Sequence, residues 1–189
     1  YLRARNAGKS YSELRRGGRV RRVALNVCGC LGRIRPGGVV KIKKILVAID
    51  FSKLSYEALD YAVDLSRDLG AKLSVLYVVE PLEFAGVDVL GGTPIATQSI
   101  VDEHLKQARS ELERVKARKL AGLDGATTAV RMGRPAEEIV AAGGKGKANL
   151  IVLGTHGRSG LSHLLMGSVS ERVVRHAQCP VVVVPTRRT

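Results

Sequence analysis

Gly154, Gly157, Gly167 and Ser168 lie in one stretch at spacings able to cradle a phosphate. Glycines let backbone amides come close to an anion, and a helix start offers unpaired N–H groups at the positive end of its dipole. Leu150 to Leu153 form a short apolar run that predicts a buried strand. Ser168, with Glu171 three residues on, predicts a capping box at a helix start. A strand thus feeds a glycine-bearing loop, and the loop feeds a helix. Inside the loop, Arg158 and Ser159 could neutralise outer phosphates, the guanidinium as a fork matching phosphate geometry. The competing reading of Arg158 is a solvated side chain.

Other side chains could do different chemistry. His156 and His163 flank the loop, but neither has an obvious carboxylate partner, so both read as loop or surface histidines. Gly157-Arg158-Ser159-Gly160-Leu161 fails the nucleophile elbow because its last position is Leu. Gly8-Lys9-Ser10 has the ending of a phosphate-binding P-loop, but the upstream glycine position holds Arg3. Cys28-Gly-Cys30 has no Cys or His companion nearby, so no metal site is expected. Cys179 reads as a small core residue. Three cysteines make no disulfide framework and favour a reduced cytoplasm. No paired acid and base or activated nucleophile is evident, so dedicated catalysis is not expected.

The elements that must position these residues begin near Lys41. Ile45 to Ile49 form an apolar run ending at Asp50, a buried first strand. Ser52 or Ser55 can cap the helix that follows, whose Ala58, Leu59, Ala62, Leu65 and Leu69 share one face before Gly70. Leu73 to Val79 predict a second strand. Residues 82–98 read as a long loop, a lid or interface element, and Ser99 with Asp102 as the start of the next helix. Its Val101, Leu105, Ala108, Leu112 and Val115 share a face until Gly122 and Gly125. Thr127 to Met132 predict a third strand, Pro135 a helix start, and Val181 to Val184 a last strand bracketed by prolines. Alternating strands and helices imply a parallel sheet with helices on both faces. Ligands then bind beyond the strands' carboxyl ends, where Asp50 and Gly154 both lie. That location favours a ligand role for Asp50 over simple helix capping.

The net charge of +14 is uneven. Residues 1–40 carry ten Lys and Arg against Glu13 alone, and the remainder is only mildly basic. Residues 1–39 show no sustained helix or strand period, so the chain divides into a basic, disordered extension or non-native leader (1–39) and a domain (40–189). An organellar transit peptide and a basic nucleic-acid arm are the other readings of the extension, and any nucleic-acid footprint would sit there. No apolar run is long enough to span a membrane.

Three stretches in order carry a resemblance: KILVAIDFS, GRPAEEIV, and the G-x2-G-x9-G-S spacing ahead of CPVVVV. Together they are similar to the universal stress protein family over about residues 41–187. The resemblance implies a five-stranded parallel α/β sheet of order 3-2-1-4-5, a Rossmann-like adenine-nucleotide fold. It also implies the ATP-binding branch of the family, because all the glycine-motif residues are kept. Asp50 matches the acid near the ribose, and Ala48 lines the same wall, where some members have Pro. Val78 matches the position whose backbone reads adenine, and Leu153 stands where some relatives have Met. Gly154 and Gly157 would approach the phosphates, while Gly167, Ser168 and Val169 would supply amides and a hydroxyl.

The expected function is a regulatory, stress-response ATP binder with at most slow hydrolysis or self-phosphorylation. Mg²⁺ could accompany the triphosphate, held mostly by phosphate oxygens and water. The alternative is a protein-interaction module of the same fold with a vestigial nucleotide site. Val181 to Val184 would form an exposed apolar edge, so a homodimer through that strand is expected, with an unidentified protein partner besides.

Overall fold

The computed structural model describes residues 10–16, 19–26, 42–80, 94–144, 147–155 and 166–185. Their elements are β1 (Ser10–Arg16), β2 (Arg19–Asn26), β3 (Lys44–Ile49), α1 (Lys53–Leu69), β4 (Lys72–Val79) and α2 (Pro94–Lys119). Then follow β5 (Thr127–Met132), α3 (Pro135–Gly143), β6 (Leu150–Gly154), α4 (Ser168–His176) and β7 (Val181–Val184). All seven strands form one sheet of order β1-β2-β7-β6-β3-β4-β5. The five from β7 to β5 are mutually parallel. Numbered among themselves they have the expected order, 3-2-1-4-5.

Strand alternation explains the two cores. On β3, Ile45, Val47 and Ile49 enter a cluster with Ala58, Leu59 and Ala62 of α1 and Leu112 and Val115 of α2. Leu46 points the other way, into a cluster with Ile139 of α3 and Val173 of α4. A strand buried on both faces must be apolar at every position, which is why β3, β6 and β7 read as unbroken aliphatic runs. Each fully buried Leu or Ile, such as Leu59 or Ile151, contributes about 1.5–3 kcal/mol relative to exposure. Gly70 ends α1 at φ 60°, a left-handed cap where a Cβ would be strained. Leu69, expected on the buried face, is the last helical residue and is 46% exposed.

Three expectations need correction. α2 starts at Pro94 rather than near Ser99, since proline suits a helix's first turn. Residues 82–93, the rest of the expected loop, lie outside the described residues. Second, β1 and β2 form strands where none was expected, an antiparallel hairpin from Ser10↔Leu25 to Arg16↔Arg19. Third, β7 is not an open edge: β2 lies against it, with Ala24↔Val183, Leu25↔Val182 and Asn26↔Val181. Among the described residues, no helix is long and apolar enough to cross a membrane.

Candidate functional site

The chain leaves β3 toward β4 and β5 on one side, then returns to place β6 on the other. The strand order therefore reverses between β3 and β6, and in open α/β sheets the carboxyl ends beside such a reversal are where ligands bind. Asp50 follows β3 directly. Its Oδ1 accepts from the Ser52 amide at 3.1 Å and the Ser52 hydroxyl at 2.6 Å. Ser52, not Ser55, caps α1, accepting from the Ser55 amide at 3.2 Å. One Asp50 oxygen thus braces the turn, and Oδ2 has no protein partner among the described residues. The bracing bonds take one oxygen and leave the other for the expected ligand contact.

Between them Phe51 sits at φ 62°, the single non-glycine positive φ among the described residues. Such a conformation costs about 1–2 kcal/mol for an L-residue, and strain of this kind clusters at ligand sites. The Phe51 ring packs on Tyr77 of β4, centroids 4.5 Å apart and planes 34° apart. That contact offsets part of the strain and fixes where Asp50 leaves the sheet.

On the other wall, the Thr155 amide donates to Val184 O at 3.1 Å, so β6 stays paired through its end. The Gly167 amide then donates to Thr155 O at 2.7 Å, bringing the start of α4 to the end of β6. Ser170, buried in the first turn of α4, donates its hydroxyl to Gly154 O at 2.8 Å. The expected capping box is absent. Gly167 is the cap residue and Ser168 is already helical, so no side chain caps α4. The Ser168 and Val169 amides have no protein acceptor among the described residues. A glycine cap leaves the first-turn N–H groups open, which suits an anion better than a capping box would. The Thr155 hydroxyl oxygen is buried with no hydrogen-bond partner among the described residues.

Ala48, Val78 and Leu153 come together in the cluster beneath α3 and α4, with Met166 packed beside them. Ala48 and Val78 are half-buried and Leu153 is buried. Asp50, Gly154, Gly167, Ser168 and Val169 stand at the carboxyl-end rim. Gly157, Arg158 and Ser159, with His156 and His163, lie outside the described residues. Thr155, Ser170, Phe51 and Met166 were not singled out from sequence. Among the described residues, no group of three His, Cys, Asp or Glu could hold a metal ion. A separate cleft of about 220 Å³, lined by Ser74, Thr127, Arg131 and Lys147 among others, contains none of the site residues.

The arrangement offers open amides and a lone hydroxyl for an anionic group, a carboxylate oxygen for hydroxyls, and an apolar wall for a flat group. A model of the universal stress protein family matches residues 41–185. Universal stress protein MJ0531 of Methanocaldococcus jannaschii is 38% identical over 144 residues, 75% of this chain and 81% of that one. Universal stress protein YxiE of Bacillus subtilis is 35% identical over 145 residues, 75% of this chain and 97% of that one. Among solved structures, hypothetical protein MJ0577 superposes with a TM-score of 0.68 at 26% identity, over 79% of this chain and 100% of that one.

Proposed function

The chain belongs to the universal stress protein family across residues 41–185, and from that premise we propose that it is an ATP-binding regulatory protein of the stress response. The observation that carries the reading is the uncapped first turn of α4, held at the end of β6 by the Gly167–Thr155 and Ser170–Gly154 bonds. Bound there, ATP would supply a dense negative charge, with Mg²⁺ on its phosphate oxygens. The Ser168 and Val169 amides, the Ser168 hydroxyl and the Gly154 and Gly167 backbone would hold the phosphates. Gly157, Arg158 and Ser159 would complete the cradle. Asp50 would accept from the ribose through Oδ2, and Ala48, Val78 and Leu153 would form the wall beside the base.

Binding, not turnover, is the proposed task. Ser170 commits its hydroxyl to Gly154 O, and Asp50 is a brace and ribose acceptor rather than a base. Any hydrolysis or self-phosphorylation would be slow. The cytoplasm is the compartment that the cysteine usage supports. Pairing of two copies through Val181 to Val184 belongs to the same proposal, on condition that the edge is released. Equilibrium binding of labelled ATP tests the reading, with cyclic AMP as the rival ligand. Saturable, ATP-preferring binding supports it. Absence of binding would leave an interaction module with a vestigial site.

A further inference from the structure

Val181, Val182 and Val183 of β7 are buried, and the strand has β6 on one side and β2 on the other. Without β2, four consecutive valines would form an unpaired, uncharged sheet edge, a template for another strand. The β2 pairing is antiparallel. A second copy related by a two-fold axis would also present its β7 antiparallel to this one, using the same outward N–H and C=O groups. We infer that the amino-terminal hairpin and a second copy of this chain compete for the β7 edge, and that the docked hairpin keeps the chain single.

Two features make the hairpin a removable cap. It meets β7 through three residue pairs, whereas β1 and β2 share seven. Detachment therefore breaks the short ladder and leaves the long one. A two-stranded hairpin alone is marginal in water, so the docked and released states are separated by little beyond that short ladder. The cap also changes the character of the edge. With β2 docked, the outermost strand becomes β1, which ends in Arg15 and Arg16. Arg19, Arg21 and Arg22 follow on β2, against Glu13 as the one acid of the hairpin. Positive charge on an outer strand discourages a second copy from adding there. A self-complementary edge is replaced by a self-repelling one.

The test is the mass of the full chain in sedimentation equilibrium. Wild type is expected at the single-chain mass of 20.3 kDa. In the Ala24→Pro/Leu25→Pro double variant, one proline removes an N–H directed at β7, because successive residues of a strand alternate direction. That variant is expected to double in mass, and a synthetic peptide of residues 19–26 in excess to return it to the single mass. A wild type of double mass, or a folded variant that stays single, overturns the inference. Hydrogen exchange in wild type needs no variant: the β7 amides on the β2 side should exchange slowly at concentrations where the chain is single. Fast exchange there would equally overturn it.

Discussion

The Gly167 amide and the Thr155 carbonyl, 2.7 Å apart, close the segment between β6 and α4 on itself. Thr155 is thereby fixed on both sides, since its own amide reaches Val184 O. Its hydroxyl is left buried and unpaired among the described residues. A buried hydroxyl without a partner costs about 1–3 kcal/mol, a cost that a ligand oxygen bonded to it would offset.

Thr155→Val should therefore have effects of opposite sign. The ligand-free protein should gain about 1 kcal/mol, because the orphan hydroxyl is removed at nearly constant shape. ATP affinity should fall by about 5- to 10-fold, about 1 kcal/mol of lost hydrogen bonding. Denaturant melts without nucleotide and titrations with it check the two halves separately. A destabilised variant with unchanged affinity would mean the hydroxyl serves the fold alone.

Asp50 separates brace from ligand contact. Asp50→Asn keeps an acceptor for Ser52, so unfolding should shift by less than about 0.5 kcal/mol, while nucleotide affinity falls several-fold with the charge. Asp50→Ala loses the acceptor for both Ser52 bonds and should cost about 1–2 kcal/mol. Chemical denaturation of the two variants distinguishes them. Equal stability loss in both would contradict the division between the two oxygens.

Phe51 gives a reversed ranking. At φ 62° glycine is favoured over alanine by about 1 kcal/mol. Both variants lose the Tyr77 ring contact. Phe51→Gly should therefore unfold about 1 kcal/mol later than Phe51→Ala, against the usual order for these residues. Parallel urea melts decide it, and the ordinary order would show that the turn relaxes when the ring is gone.

Much of the parallel core was legible because doubly buried strands leave unbroken aliphatic runs, and Val181–Val184 was read to the residue that way; the edge strand Thr127–Met132 was read to the residue from its alternation instead. The hairpin was not, since its strands mix Arg with apolar residues and carry no clean alternation. Its one local signal was Gly17-Gly18 between the strands, a pair that favours tight hairpin turns. At the site, the spacing of Gly154, Gly167 and Ser168 was visible, but which of them caps the helix was not. The sequence pattern S-x-x-E pointed to a capping box, yet the helix begins one residue earlier in register, on a glycine cap. Ser170, Thr155 and Phe51 act through bonds or packing to distant strands, or through backbone conformation, and no local pattern announces either.

Ser168→Pro addresses the central claim with the least disturbance. Ser168 is the first helical residue, a position where proline is well tolerated and where the lost N–H has no partner within the helix. The fold should keep its stability within about 0.5 kcal/mol. An amide bonded to a phosphate contributes about 1.5–3 kcal/mol, so ATP affinity should fall by about 10- to 100-fold. Calorimetric titration of ATP into wild type and Ser168→Pro is the most direct measurement. The account predicts saturable binding to wild type at one nucleotide per chain and that loss in the variant. Equal affinity in both proteins, or no binding to wild type, would contradict it.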